Sequence, residues 1–207
     1  MGEVATGSGL LACAAIIIAP NASCSNELLS LAGRVGFGAA VDHDRTVGLD
    51  PDLQPYFVMH YAISDTAKAS LLCSIRQSSV TKVQYAPIVV IMPDGPFEQT
   101  IHYIKMGFDD VISLPEKPRI LSTRLAGQVW QDRLYIETED YLGPDRRRMD
   151  LMPHESQNRR QGGSKHARIT FVREPGAGIR ILNRQLVLRP PMEVGPVEVL
   201  NSRDGLV

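Results

Sequence analysis

The chain has 207 residues, of which 43% are hydrophobic and 22% charged, and its formal net charge is −1. That length suits one domain of ordinary size plus an extension, or two small domains, and the composition excludes a wholly disordered chain. A charge so near zero excludes a global pull toward nucleic acid or anionic membrane, so any such tendency must be local.

The three cysteines, Cys13, Cys24 and Cys73, are odd in number and lack metal-ligand spacing. They read as reduced thiols packed like small apolar residues in a cytoplasmic protein. The apolar run Leu10 to Ala19 is about half the length that spans a bilayer. Glu3 is the only charge ahead of it, so the basic start of a secretory signal is missing. Leu10-Leu11-Ala12-Cys13 matches a lipoprotein cleavage box only superficially, because the most hydrophobic residues, Ile16 to Ile18, follow the cysteine. The run is read as a buried first strand, and no transmembrane segment is expected.

Residues 1–9 are small and polar, as at a frayed terminus. Ala14 to Ala19 suits a strand covered on both faces. Pro20-Asn21-Ala22-Ser23 breaks it and offers helix caps, and Leu28, Leu29, Leu31 and Ala32 give an amphipathic helix that Gly33 or Gly36 ends. Ala39 to Val41 is a short second strand. Asp42 to Pro55 is rich in Asp, Gly and Pro and shows no helical stripe. Tyr56 to Ile63 is the third strand, and Ser64-Asp65 caps a helix carrying Ala69, Leu71, Leu72 and Ile75.

The stretch Ala86-Pro87-Ile88-Val89-Val90-Ile91-Met92-Pro93 reads as a buried fourth strand. Helix spacing follows through Phe97, Ile101 and Ile104; Gly107 stops it, and Asp110 to Leu114 starts a fifth strand. Lys117 to Tyr135 places Ile120, Leu121, Leu125, Val129 and Leu134 at helical spacing. Five strands alternating with four or five helices predict a doubly wound, flavodoxin-like α/β fold with a five-stranded parallel sheet.

The element order, with the segments Ile16-Ile17-Ile18-Ala19-Pro20-Asn21, Asn26-Glu27-Leu28-Leu29 and Gly107-Phe108-Asp109-Asp110, resembles the receiver domain of bacterial response regulators. The resemblance covers about two thirds of the chain and sets a receiver-like domain at 10–136. In that family an acidic pair after strand one holds Mg²⁺, and an aspartate after strand three accepts a phosphoryl group. A hydroxyl on strand four and a lysine on strand five bind its oxygens. By the resemblance, the acidic pair falls here on Pro20 and Asn21, the acceptor on Tyr61 or Ala62, the hydroxyl on Met92 and the lysine on Leu114. The resemblance therefore implies a degenerate pseudo-receiver, with no catalysis, no cofactor and no metal. Asp65, a few residues past the acceptor position, reads as a first-turn helix residue, with a displaced phosphoacceptor as the alternative. Partner contacts in the family commonly use helices four and five and strand five. On that basis Phe97, His102, Tyr103 and Trp130 are candidates, and Trp130 is equally suited to helix packing.

Residues 137–168 read as a charged flexible linker, and 169–207 as a mostly irregular extension with a β-hairpin. The hairpin would pair Ile169 to Val172 with Ile179 to Leu188 around Pro175-Gly176-Ala177-Gly178. From Asp145 to Arg168 there are seven Lys or Arg against three Asp or Glu. Arg146, Arg147, Arg148 and Asp150 offer bidentate donors and an acceptor, a pattern that also suits an anionic ligand such as cyclic di-GMP. The competing reading is a solvated hinge, and nucleic acid is disfavoured because aromatics are missing from the basic run. The function expected is a phosphorylation-independent signalling module that binds protein partners in bacterial two-component or related regulation. The alternatives are a cyclic-dinucleotide effector and an unconventional phosphorelay receiver.

Overall fold

In the computed structural model of the protein, which describes residues 9–145 and 164–189, the apolar run after Leu10 forms β1 (Cys13–Ile18), buried along its whole length. Its side chains alternate between two hydrophobic clusters, Cys13, Ala15 and Ile17 in one and Ile16 and Ile18 in the other. Parallel to β1 lie β2 (Ala39–Asp42), β3 (Gln54–His60), β4 (Ile88–Pro93) and β5 (Asp110–Leu114), in the order β2-β1-β3-β4-β5. This is the flavodoxin-like doubly wound arrangement. Helices α1 (Ala22–Val35) and α5 (Pro118–Ala126) cover one face through Leu28, Leu31, Leu121 and Leu125. Helices α2 (Asp65–Arg76) and α4 (Phe97–Met106) cover the other through Leu72, Ile75 and Tyr103, beside the single turn α3 (Thr81–Gln84). A short 3-10 turn at His43–Arg45 stands where a second long helix would be, as the Asp- and Pro-rich stretch predicts.

Local chemistry sets the helix ends. Asn21 starts α1, its Oδ1 accepting the Cys24 N–H at 3.0 Å, and Ser64 starts α2 in the same way. Gly36 ends α1 and Gly107 ends α4. At φ +119° only glycine avoids a Cβ clash, and the Gly107 N–H closes α4 onto the Tyr103 and Ile104 carbonyls. Truncating a central side chain such as Ile17, fully buried in β1, should cost about 2–5 kcal/mol.

The helix expected over Lys117–Tyr135 is corrected. It ends at Ala126; Trp130 then takes a positive φ of 61°, and β6 (Asp132–Glu137) follows. Leu134 fits the helical period by coincidence, and strand pairing overrides it: Leu134, Tyr135 and Ile136 pair with Thr170, Ile169 and Arg168. The segment belongs to a second, antiparallel sheet made of β6, β7 (Leu142–Pro144), β8 (Ser164–Glu174) and β9 (Gly178–Arg189), in the order β7-β6-β8-β9.

The predicted hairpin is present as β8–β9, and it is longer than the sequence suggested, since β8 begins inside the stretch read as linker. A hairpin alone is marginally stable. Here β6 adds a third strand, and Tyr135, Ala167, Ile169 and Phe171 pack around Tyr85 of the first unit. The turn has Pro175 at its second position and Gly176, at φ +85°, at its third, the pattern of a type II turn. The Ala177 N–H closes it on the Glu174 carbonyl at 2.9 Å, and the Gly176 N–H reaches the Asp52 carbonyl at 3.2 Å. Among the described residues no helix is long and apolar enough to cross a membrane.

Candidate functional site

Doubly wound sheets bind ligands in the crevice beyond the carboxyl ends of their strands. Here that crevice is a cavity of about 1010 Å³. Leu28 and Leu31 of α1, Tyr61 after β3, Met92 of β4, Leu114 of β5 and Pro118 of α5 line it, with Glu27, Arg34 and Glu116 also contributing. Three of the six sequence-nominated positions, Tyr61, Met92 and Leu114, therefore meet in one place. Met92 is buried in the core, Leu114 is half-buried, and Tyr61 is partly exposed. Pro20, Asn21 and Ala62 are exposed and stand apart from the lining, with Asn21 occupied as the α1 cap. His60, the last residue of β3, accepts the Ala62 N–H on Nδ1 at 3.2 Å, which leaves the proton of the neutral ring on Nε2. Burial lowers the His60 pKa, opposed by Glu27 and reinforced by Lys68.

Beside the crevice the β3–α2 loop is tied by a buried lysine that the sequence reading did not single out. Lys68 is 1% exposed, and its ammonium donates to the carbonyls of Tyr61 at 2.7 Å and Ile63 at 2.5 Å. It also reaches Asp65 Oδ1 at 3.0 Å and the Tyr103 hydroxyl at 3.2 Å. The other Asp65 oxygen meets His102 Nε2 at 2.9 Å. Hydrogen bonding from Lys68, with a smaller part from His102, holds the Asp65 carboxyl below its ordinary range. Of the surface candidates, Phe97 is 65% exposed and His102 is exposed, whereas Tyr103 is buried against Phe108. Trp130 is exposed and lies outside any helix, so the helix-packing reading does not hold.

The opposite end of the sheet carries the charge. Asp109, just ahead of β5, has a buried carboxylate. One oxygen accepts Arg76 Nη2 at 2.7 Å and the Ile88 N–H at 2.8 Å; the other accepts Arg173 Nη2 at 2.9 Å and the Tyr135 hydroxyl at 2.5 Å. Arg173 of β8 is fully buried. It also donates to the Tyr85 carbonyl at 2.6 Å, the Gln128 carbonyl at 2.9 Å and the Tyr135 oxygen at 2.6 Å, while Arg76 reaches the Gln84 and Ala86 carbonyls. Burial pushes the Asp109 carboxyl up, but Arg173 and Arg76 outweigh it and hold the group below the ordinary carboxylate range. This network joins α2, β5, β6 and β8, and so fastens the second sheet to the amino end of the first. The neighbouring Asp110 turns outward to Arg124 of α5 at 2.5 Å.

Among the described residues no group of three or more His, Cys, Asp or Glu side chains is placed to hold a metal ion. Cys13 is inert by burial, which pushes its thiol up to about 12. Arg146, Arg147, Arg148 and Asp150 lie outside the described residues. Compared with known proteins, the chain matches no protein-family model, and no curated protein matches it.

Proposed function

We propose that the chain is a non-enzymatic signalling module, a receiver-like domain that acts by binding protein partners, independently of phosphorylation, in bacterial two-component or related regulation. The observation that supports this reading is the apolar crevice beyond the parallel strands. Met92 and Leu114 stand where the resemblance would put a hydroxyl and a lysine. A phosphoryl group brought there would lose water without gaining a cation or a hydroxyl from β4 or β5, and the one Lys or Arg on the described lining, Arg34, stands in the last turn of α1. The nearest described alternative acceptor, Asp65, is already engaged on both oxygens by Lys68 and His102. An apolar trough with charged residues on its lining suits the side chains of a protein segment, which bury apolar area at the centre of a contact and leave charge at its rim. Exposed Phe97 and Ile120 extend apolar surface onto α4 and α5.

The test has two parts. Incubation with a small-molecule phosphodonor and Mg²⁺, followed by intact-mass measurement, should show no acyl phosphate; a label lost in Asp65→Asn would overturn the reading. Cross-linking in native extract should then capture a partner that the folded Leu114→Glu variant loses. No described feature favours the cyclic-dinucleotide reading, whose arginines lie outside the described residues.

A further inference from the structure

The outer strand of the second sheet carries an inference independent of the crevice. Strand β9 is 12 residues long, about twice the common strand length, and spans roughly 40 Å. It is the edge of its sheet, and among the described residues its outer side has no partner. Four large apolar side chains on it are exposed: Ile181, Leu182, Leu186 and Leu188. Natural edge strands are usually protected by Pro, Lys, inward charges or irregularity. Within β9 there is no Pro, Lys, Asp or Glu, and of its three arginines Arg180 and Arg184 are each neutralised by a carboxylate of the same chain. Its one irregularity is the extra residue Leu182, which falls between the Phe171–Ile181 and Thr170–Asn183 pairs and leaves the stretch from Asn183 to Leu188 regular.

We propose that β9 is a dimerisation strand, whose free edge pairs antiparallel with β9 of a second copy of this chain and joins the two four-stranded sheets into one. Charge decides the occupant. Arg180 and Arg184 are each paired within the chain, to Glu174 and Glu137, both at 2.5 Å. An acidic strand from a foreign partner would have to compete with those carboxylates. An uncharged strand would not, and between Ile181 and Leu188 β9 is itself uncharged apart from the already paired Arg184, with apolar residues at five of the eight positions. The two-fold register also has a preference. Facing residues in an antiparallel pair lie on the same side of the sheet. Centring on Leu186 sets Leu186 against its own copy, Leu188 against Arg184, and Gln185 against Val187. Centring on Arg184 would instead bring two guanidinium groups together. A closed two-fold contact of this kind uses up the β9 edge of both copies and leaves only the three-residue β7 at each outer end, so it stops at the dimer.

Sedimentation equilibrium on the full chain should show a dimer with a micromolar dissociation constant. Leu186→Lys places two ammonium groups across the two-fold and should weaken the dimer at least about tenfold. Residue 186 is exposed, so circular dichroism should show the fold intact. In a Cys24→Ser, Cys73→Ser background, oxidised Leu186→Cys should form a disulfide-linked dimer, since facing Cα atoms lie about 4.5–5.5 Å apart. Val47→Cys, on a fully exposed loop position, should not. A chain that stays monomeric at millimolar concentration overturns the proposal. So does a dimer indifferent to Leu186→Lys that gives no 186–186 link, or a monomer whose β9 edge is taken by a foreign peptide.

Discussion

The two ends of the parallel sheet have opposite characters. At the carboxyl end, where doubly wound folds usually do their chemistry, Leu, Met and Pro share the walls with exposed polar residues such as Glu27 and Arg34, and the nearby buried cation, Lys68, is consumed by loop carbonyls. At the amino end two arginines, a carboxylate and a tyrosine are buried together in the joint with the second sheet. Among the described residues the ion pairs buried at both partners thus lie where the two sheets meet, at the amino end of the parallel strands. An ion pair buried this deeply is no guarantee of extra stability over a well-packed apolar joint. It does demand one geometry, because each guanidinium must meet its carbonyls and its carboxylate at once.

The largest effect should come from Asp109→Asn, which leaves Arg76 and Arg173 buried without a counter-charge. A loss of about 3–5 kcal/mol is expected from urea unfolding. The pH dependence has a defined sign. The folded pKa of Asp109 lies below its unfolded value of about 3.9, so its stabilisation is complete above that pH and disappears as pH falls through the folded pKa. Asp109→Asn should lack this part of the acid limb.

Next is Lys68→Met at the other end, which removes charge-assisted bonds to two carbonyls. It should cost about 1.5–3 kcal/mol and open the β3–α2 loop to limited proteolysis. Tyr135→Phe, a single hydroxyl in the joint, should cost on the order of 1–1.5 kcal/mol.

Leu114→Lys sharpens the contrast from the apolar side. Its half-buried position lets the amine reach the rim, so the change should stay within about 1 kcal/mol and confer no phosphorylation. A loss as large as that of Asp109→Asn would erase the distinction between the two ends. The smallest effect belongs to His60. Its folded pKa is depressed, so its contribution is present above about pH 6.5 and lost as pH falls through the folded value. His60→Gln should flatten that slope in a thermal-melt series.

Much of the first sheet was legible because its strands are continuous apolar runs and its helices end at Asn21, Ser64, Gly36 and Gly107, signals that act locally. Of the six nominated positions, Tyr61, Met92 and Leu114 reach the crevice lining because they sit at strand ends that follow from those runs, whereas Pro20, Asn21 and Ala62 do not. The second sheet was only half readable. The Pro175-Gly176 turn declared the hairpin, but Ser164-Lys165-His166 looks polar, and Leu134 happened to extend the spacing of α5. The joint was not readable. Asp109 lies 33 residues from Arg76 and 64 from Arg173, and no local pattern links a carboxylate just ahead of a strand to an arginine in a distant strand.

Trp130 is the only tryptophan in the chain, and its backbone N–H donates to the Arg173 carbonyl at 2.9 Å, beside the buried joint. The molecule thus carries its single indole, which can be excited apart from the tyrosines, at the seam between its two sheets. Its emission reports on that seam without labelling, and separating the sheets would register there as a change of spectrum before either sheet had lost its strands.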